Sequence, residues 1–185
     1  MKKITIIASA LLLTAIFSGC ASSSSPTTPQ EVREAVGSGM FSTKKDSFIV
    51  NRPYYKVASL LQRNSKKCLN KSFKHTSTTH NGYYMQTSTD TMYYKTKFKR
   101  GRTLSTLEVK GDSDSLQSGM TSAIYGEALK DGYFIAVVDL HKKGAGKTQV
   151  DIYRGSMLMG VQEDIVNAIK NWAKNGSKSC PNIAP

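Results

Sequence analysis

The amino-terminal residues form the longest apolar segment of this 185-residue chain, extending from residue 4 to residue 17. Two lysines precede the segment, and small residues follow it. A positively charged start, an apolar segment too short for a stable membrane span and a small-residue end are typical of a secretory signal peptide. The pattern therefore predicts a signal peptide over residues 1–19.

Two later segments repeat apolar residues at the spacing of an α-helix. We interpret Asn51 as the N-cap of the first, with Pro53 in its first turn. Gly176 ends the second helix. The predicted buried stripes are Val57, Leu60, Leu61, Asn64 and Cys68 in the first helix, and Val161, Ile165, Ala168, Ile169 and Trp172 in the second.

The segments between these helices are rich in Tyr and Thr and are separated by short polar breaks, which favours antiparallel strands. A short strand over residues 46–50 is expected before the first helix. The other predicted strands cover residues 82–89, 91–100, 103–110, 132–141 and 147–154. This order predicts an α+β fold, an antiparallel sheet with two amphipathic helices packed on one face, over residues 46–185.

Residues 20–45 are rich in Ser, Thr, Pro and Gly, and we interpret them as a flexible tether with at most a short helix at residues 31–36. Three adjacent tyrosine pairs occur in the chain: Tyr54-Tyr55, Tyr83-Tyr84 and Tyr93-Tyr94. In a strand, each pair places one ring in the core and one on the outer face. Ordinary β-propensity explains these residues as well as a binding role does.

Charge and cysteine content restrict the possible environments. Removing residues 1–19 takes away two lysines and no acid, so the formal charge falls from +13 to +11. In an oxidising compartment Cys68 and Cys180 would form one disulfide, the alternative being two buried thiols. Cys180 follows the second helix and Cys68 lies at the end of the first, so a bond would join the two helix ends.

The end of the predicted signal peptide, Phe17-Ser18-Gly19-Cys20, resembles the lipobox of bacterial lipoproteins. The resemblance implies that Cys20 receives a diacylglyceryl group and becomes the acylated amino terminus of the mature chain. By the sorting rule of enteric bacteria, Ala21 after the cysteine implies the outer membrane. An ordinary signal peptide that contains a cysteine is the alternative.

The predicted order of strands and helices resembles the helix-grip domains of the lipoprotein subunit of the outer-membrane barrel-assembly machine. The resemblance covers about residues 46–180 and concerns architecture alone, so it implies no binding residues.

A strip of basic residues is the main candidate for a binding site. In the predicted strand over residues 91–100, Met92, Tyr94 and Phe98 are expected to face the core. Alternation then places the intervening side chains on the solvent face. These are Tyr93, Lys95, Lys97 and Lys99. An anionic envelope polymer, phosphorylated lipid headgroups or an acidic protein would suit such a strip. A solvated face whose lysines protect a sheet edge is the alternative.

No catalytic, metal or cofactor site is predicted. His75 and His80 are expected in a polar loop and His141 at a strand end, without a second ligand type at a recognisable spacing. Residues 144–148 resemble a phosphate-binding loop only superficially, because they join two strands.

These observations lead to an expected function. The chain is expected to be a non-enzymatic lipoprotein of the outer membrane, lipid-anchored and facing the periplasm or the surface. Its basic domain would bind an anionic envelope component or a protein, as an accessory subunit of an envelope complex, and no nucleic-acid partner is expected. An envelope-acting hydrolase and a purely structural surface lipoprotein are the alternatives.

Overall fold

A computed structural model describes residues 26–37, 43–113, 132–155 and 160–183. The signal peptide and Cys20 lie outside the described residues. Within the described ranges the chain forms three helices and six strands. In chain order these are α1 (Pro29–Glu34), β1 (Thr43–Val50), α2 (Tyr54–Cys68), β2 (Lys71–Asn81), β3 (Tyr84–Lys99), β4 (Leu104–Ser113), β5 (Tyr133–Lys143), β6 (Lys147–Gly155) and α3 (Gly160–Asn175).

The six described strands form one antiparallel sheet in the order β1-β6-β5-β4-β3-β2. Strands β2 to β6 therefore form a meander, and β1 pairs with the last strand. Helices α2 and α3 share one core cluster with the sheet, whereas α1 belongs to a second, smaller cluster. The predicted α+β fold, an antiparallel sheet with two amphipathic helices on one face, is confirmed.

The sheet face beneath α2 and α3, the helix face, holds the main core. Val57, Leu61 and Cys68 of α2 are fully buried there, as the helical spacing predicts. Ile169 and Trp172 of α3 are buried against the same cluster. Helix α2 begins at Tyr54 with Pro53 as its N-cap, so Asn51 is not the cap and that expectation was wrong. Pro53 has no backbone N–H to satisfy, which suits the first turn.

Arg52, which lies just before α2, holds the carboxyl end of α3. Its guanidinium donates hydrogen bonds of 3.2 Å to the carbonyl oxygens of Trp172 and Ala173 in the last turn of α3. Gly176 then leaves the helix at φ 69°, in the left-handed region that glycine adopts without strain, as predicted. The cation also suits the negative end of the helix dipole.

A disulfide between Cys68 and Cys180 links the end of α2 to the segment after α3, with the two Cα atoms 5.2 Å apart. The predicted pairing is therefore confirmed, and the alternative of two buried thiols does not hold. The indole of Trp172 donates a 2.7 Å hydrogen bond to the carbonyl of Ser179 and holds the same segment.

The sequence interpretation was wrong for the segment before β4. His75 and His80 lie in β2, not in a loop, and β3 continues without a break through residues 88–90. The turn is at Gly82, with φ 56°, in a two-residue loop between Asn81 and Tyr84. Residues 82–89 are exposed at every position, so the sequence there has no apolar alternation to reveal a strand.

The predicted tether over residues 20–45 is too long at its carboxyl end. Val32 of α1 is only 1% exposed and lies against Phe134, Val137 and Tyr153 on the sheet face opposite α2 and α3. Strand β1 begins at Thr43, whose hydroxyl donates to the carbonyl of Val32. One apolar side chain in a six-residue helix produces no periodic pattern, so the sequence did not reveal this contact.

Replacing Cys68 and Cys180 together with alanine should lower the free energy of unfolding by about 3–5 kcal/mol, because the bond closes a separation of 112 residues. Denaturant unfolding of the oxidised protein and the double variant measures the difference. A matched Cys68→Ser/Cys180→Ser variant controls for the loss of sulfur packing. Equal stability of oxidised protein and both variants would contradict the role assigned to the bond.

Candidate binding surface

The sheet face opposite α2 and α3, the outer face, carries the predicted basic strip. Strand alternation in β3 sends Tyr94 into the core, where it is 4% exposed. Burial raises the pKa of its hydroxyl to about 12, so Tyr94 stays neutral. Lys95, Lys97 and Lys99 are exposed on the outer face, and Tyr93 is half-buried. The predicted register of this strand is therefore confirmed.

Lys99 is not a free cation. Its Nζ lies 2.8 Å from Oε1 of Glu108 on β4, whose side chain is only 8% exposed. Glu108 is also directly opposite Lys97 in the strand register. The nearly buried carboxylate therefore has two lysines around it, and the contact ion pair is with Lys99.

Three other lysines surround this pair without a carboxylate contact. Lys95 lies directly opposite Lys110 on β4. The Nζ of Lys110 sits 4.6 Å from the ring centroid of Phe134. Among the described residues, the ion pairs involve none of Lys95, Lys97 and Lys110. Together they concentrate positive charge on adjacent strands.

The positive charge continues around the open edge of β3. Strand β2 begins at Lys71, opposite Tyr94, so β3 from residue 95 onward has no strand on that side among the described residues. Asn70 covers part of this edge, because its Oδ1 accepts from the backbone N–H and the hydroxyl of Thr96 at 2.7 and 2.8 Å. Lys71 and the exposed Lys67 at the end of α2 lie beside it in the chain. Lys71 itself pairs directly with Tyr94 and therefore lies on the helix face of the sheet. We call Lys95, Lys97 and Lys110 the lysine surface.

Arg33 of α1 neutralises a buried carboxylate farther along the outer face. Its Nε and Nη2 donate to the two oxygens of Asp139 at 2.7 and 2.8 Å, and Thr106 donates to the same carboxylate at 2.8 Å. The hydrogen bond to Asp139 raises the pKa of Arg33. A paired guanidinium and carboxylate of this kind fix α1 on the sheet.

Asp151 lies directly opposite Asp139 and is also held by neighbours. Burial alone would raise the pKa of Asp151. Hydrogen bonds from Ser47 and Gln149, with the charges of Lys45 and His141, outweigh it and lower that pKa. Asp151 is thus held in its ionised form. Each of the two facing carboxylates has its own hydrogen-bond donors, so neither is placed as an unengaged acid or base.

The Nε2 of His141 lies 3.5 Å from Oδ2 of Asp151. Within the described ranges, no group of three or more His, Cys, Asp or Glu side chains is arranged to hold a metal ion. Residues 144–146 form the turn between β5 and β6, and residues 147–148 begin β6, so this segment joins two strands as the sequence predicts. Among the described helices, none is both long enough and apolar enough to cross a bilayer.

The sequence named part of the lysine surface and missed part of it. Lys95 and Lys97 were predicted, whereas Lys110 was not, and Lys99 forms an ion pair with Glu108. Lys110 lies on the solvent side of its own predicted strand. Cross-strand pairing of that strand with β3 would have placed it next to Lys95.

Comparison with known proteins adds little to this geometry. The sequence matches no family model and no curated protein. A solved structure of a hypothetical protein from Helicobacter pylori is similar over 75% of this chain and 85% of its own, with 11% identity and a TM-score of 0.36. A conserved protein from Geobacillus kaustophilus is similar over 71% of this chain and 86% of its own, with 13% identity and a TM-score of 0.31.

Lys99→Gln should destabilise the domain by about 1 kcal/mol, because Glu108 would lose its contact cation while nearly buried. Lys97→Gln, the matched control on the same strand, should change stability by less than about 0.5 kcal/mol. Denaturant unfolding measures both. Adding Glu108→Gln should rescue Lys99→Gln, and equal effects of the two single variants would contradict the assigned pair.

Proposed function

We propose that this chain is a lipid-anchored, non-enzymatic protein of the bacterial outer membrane whose lysine surface binds an extended anionic partner of the envelope. Two independent features support the proposal. The lipobox-like segment ending at Cys20 supports the anchor, and the lysine surface supports the binding role. The partner class is an anionic envelope polymer or the acidic segment of an envelope protein.

The observation that carries the binding role is the unequal distribution of ion pairs on the outer face. Glu108, Asp139 and Asp151 each have a cation within 4 Å. Lys95 and Lys97, by contrast, are exposed and have no ion-pair partner in the described part of the chain. These three acids of the outer face thus pair with cations of the folded chain, whereas Lys95 and Lys97 remain available to an external anion.

The spacing of these cations favours an extended partner over a small one. Lys95 and Lys97 are two residues apart on one strand, about 7 Å along its axis. Lys110 lies on the adjacent strand, directly opposite Lys95. A row of separate charges matches a chain with repeated anionic groups, whereas a single small anion needs converging donors.

The open edge of β3 favours a second role for the same side chains. Lysines along an unpaired strand hinder edge-to-edge association of sheets. Lys95 and Lys97 occupy the part of β3 that β2 does not cover. Edge protection alone would make these lysines structural, and experiment can separate the two roles.

A Lys95→Gln/Lys97→Gln/Lys110→Gln variant should elute from a polyanion column at lower salt and show a flatter salt dependence, because three cations of the lysine surface are removed. Lys142→Gln/Lys143→Gln/Lys147→Gln, which removes the same charge from the exposed β5–β6 turn, is the matched control and should shift elution less. Equal shifts would contradict the assigned surface. Unchanged elution with new self-association would leave edge protection as the role.

Cys20→Ser should abolish incorporation of a fatty-acid analogue in growing cells, because the thiol is the proposed site of lipid attachment. The Cys68→Ser/Cys180→Ser variant is the control, and it should keep the label because its Cys20 is intact. Label that persists on the Cys20→Ser chain would refute the anchor.

A further inference from the structure

The hairpin of β2 and β3 extends well past the rest of the described sheet. Strand β4 pairs with β3 only from Met92 onward, at Ser113. Before that point, from Tyr84 to Thr91, the strand that pairs with β3 among the described residues is β2. Eight residues of strand correspond to about 27 Å. We call this two-stranded extension, residues 74–91, the arm.

The arm is uncharged along most of its length and carries its largest apolar side chains at its tip. Residues 75–89 contain no Lys, Arg, Asp or Glu. At the tip, Tyr83, Tyr84 and Met85 are 96%, 80% and 69% exposed. Both rings of this tyrosine pair point into solvent, contrary to the one-in, one-out expectation for such pairs. Three adjacent exposed side chains of this kind mark an interaction site.

The arm and the amino-terminal tether leave the domain at the same end of the sheet. Thr43 at the start of β1 pairs with Gly155, and the antiparallel register continues across the sheet to Ser113 and Met92, where the arm begins. Helix α1 is fixed at this end, because the backbone of Thr43 bonds to Ala35. The six residues of α1 span only about 9 Å, so the tether starts nearby.

The length of the tether matches the length of the arm. Pro29 is nine positions after Cys20 in the chain, which allows a span of at most about 30 Å when fully extended. A lipid on Cys20 therefore places the membrane surface within reach of a 27 Å arm that points the same way. Tyrosine is enriched at membrane interfaces, where its ring enters the apolar boundary and its hydroxyl stays hydrated.

We propose that Tyr83, Tyr84 and Met85 at the tip of the arm enter the headgroup region of the bilayer that holds the lipid anchor. The contact rests on the proposed anchoring at Cys20, since the tether supplies the high local concentration that lets three side chains suffice. It depends on apolar partition and not on charge, so salt should affect it much less than the lysine surface. It fixes the orientation of the domain on the membrane.

A tryptophan at the tip tests the contact directly. The lipidated Tyr83→Trp protein is purified and incorporated into preformed vesicles of phosphatidylethanolamine and phosphatidylglycerol, with or without bromine on the acyl chains near the interface. Bromine should quench most of the added emission, whereas the buried Trp172 gives a constant background. Tyr55→Trp is the matched control, because Tyr55 is an exposed tyrosine near the end of β1, at the opposite end of the sheet.

The quenching and flotation results together distinguish the lipid anchor at Cys20 from the contact of the arm with the bilayer. Quenching at position 83 but not at position 55, unchanged in high salt, supports the contact. A protein that floats with the vesicles but shows equal or no quenching at the two positions retains its anchor and refutes the contact. A protein that does not float with the vesicles refutes the anchor and the contact together, because the arm alone is not expected to hold it.

Discussion

The helix face of the sheet imposes the main constraint on this fold. Val109, Val138, Leu140 and Ile152 on three neighbouring strands are fully buried there. Burial of such a side chain contributes about 1.5–3 kcal/mol, so α2 and α3 must stay in place together. The Cys68–Cys180 bond and the hydrogen bonds of Arg52 hold the carboxyl ends of both helices.

Because the helix face contains the main core, the outer face is free to be polar. Among the described residues, its apolar cover is Val32 of α1, which lies over Phe134 and Val137. Elsewhere on this face carboxylates are paired with nearby cations, as in the contact of Asp139 with Arg33. Each pair holds side chains across strands, which keeps the exposed lysines in register with the sheet. A binding surface can therefore occupy this face without a cost to the core.

Apolar periodicity determined how much the sequence could predict. It predicted both large helices and the inward and outward sides of β3, because apolar residues such as Leu61 and Tyr94 recur at the spacing of a helix or a strand. The predicted helix ends then brought the two cysteines of the disulfide together. Apolar periodicity missed β2 and the arm, because residues 74–91 contain few apolar residues and have no apolar period. It also missed α1, where a single Val32 carries the burial. The pair of Lys99 with Glu108 depends on register between strands, which alternation within one strand does not specify.

The two proposed contacts act at different distances from the membrane. With the tip of the arm at the headgroups, Lys97 lies thirteen residues farther along β3 than Tyr84, or about 44 Å if the arm stands upright. The Debye length at physiological ionic strength is about 8 Å, so anionic headgroups would not neutralise lysines at that height. The lysine surface would then remain available to a separate polyanion, and salt would weaken that association while leaving the membrane contact in place.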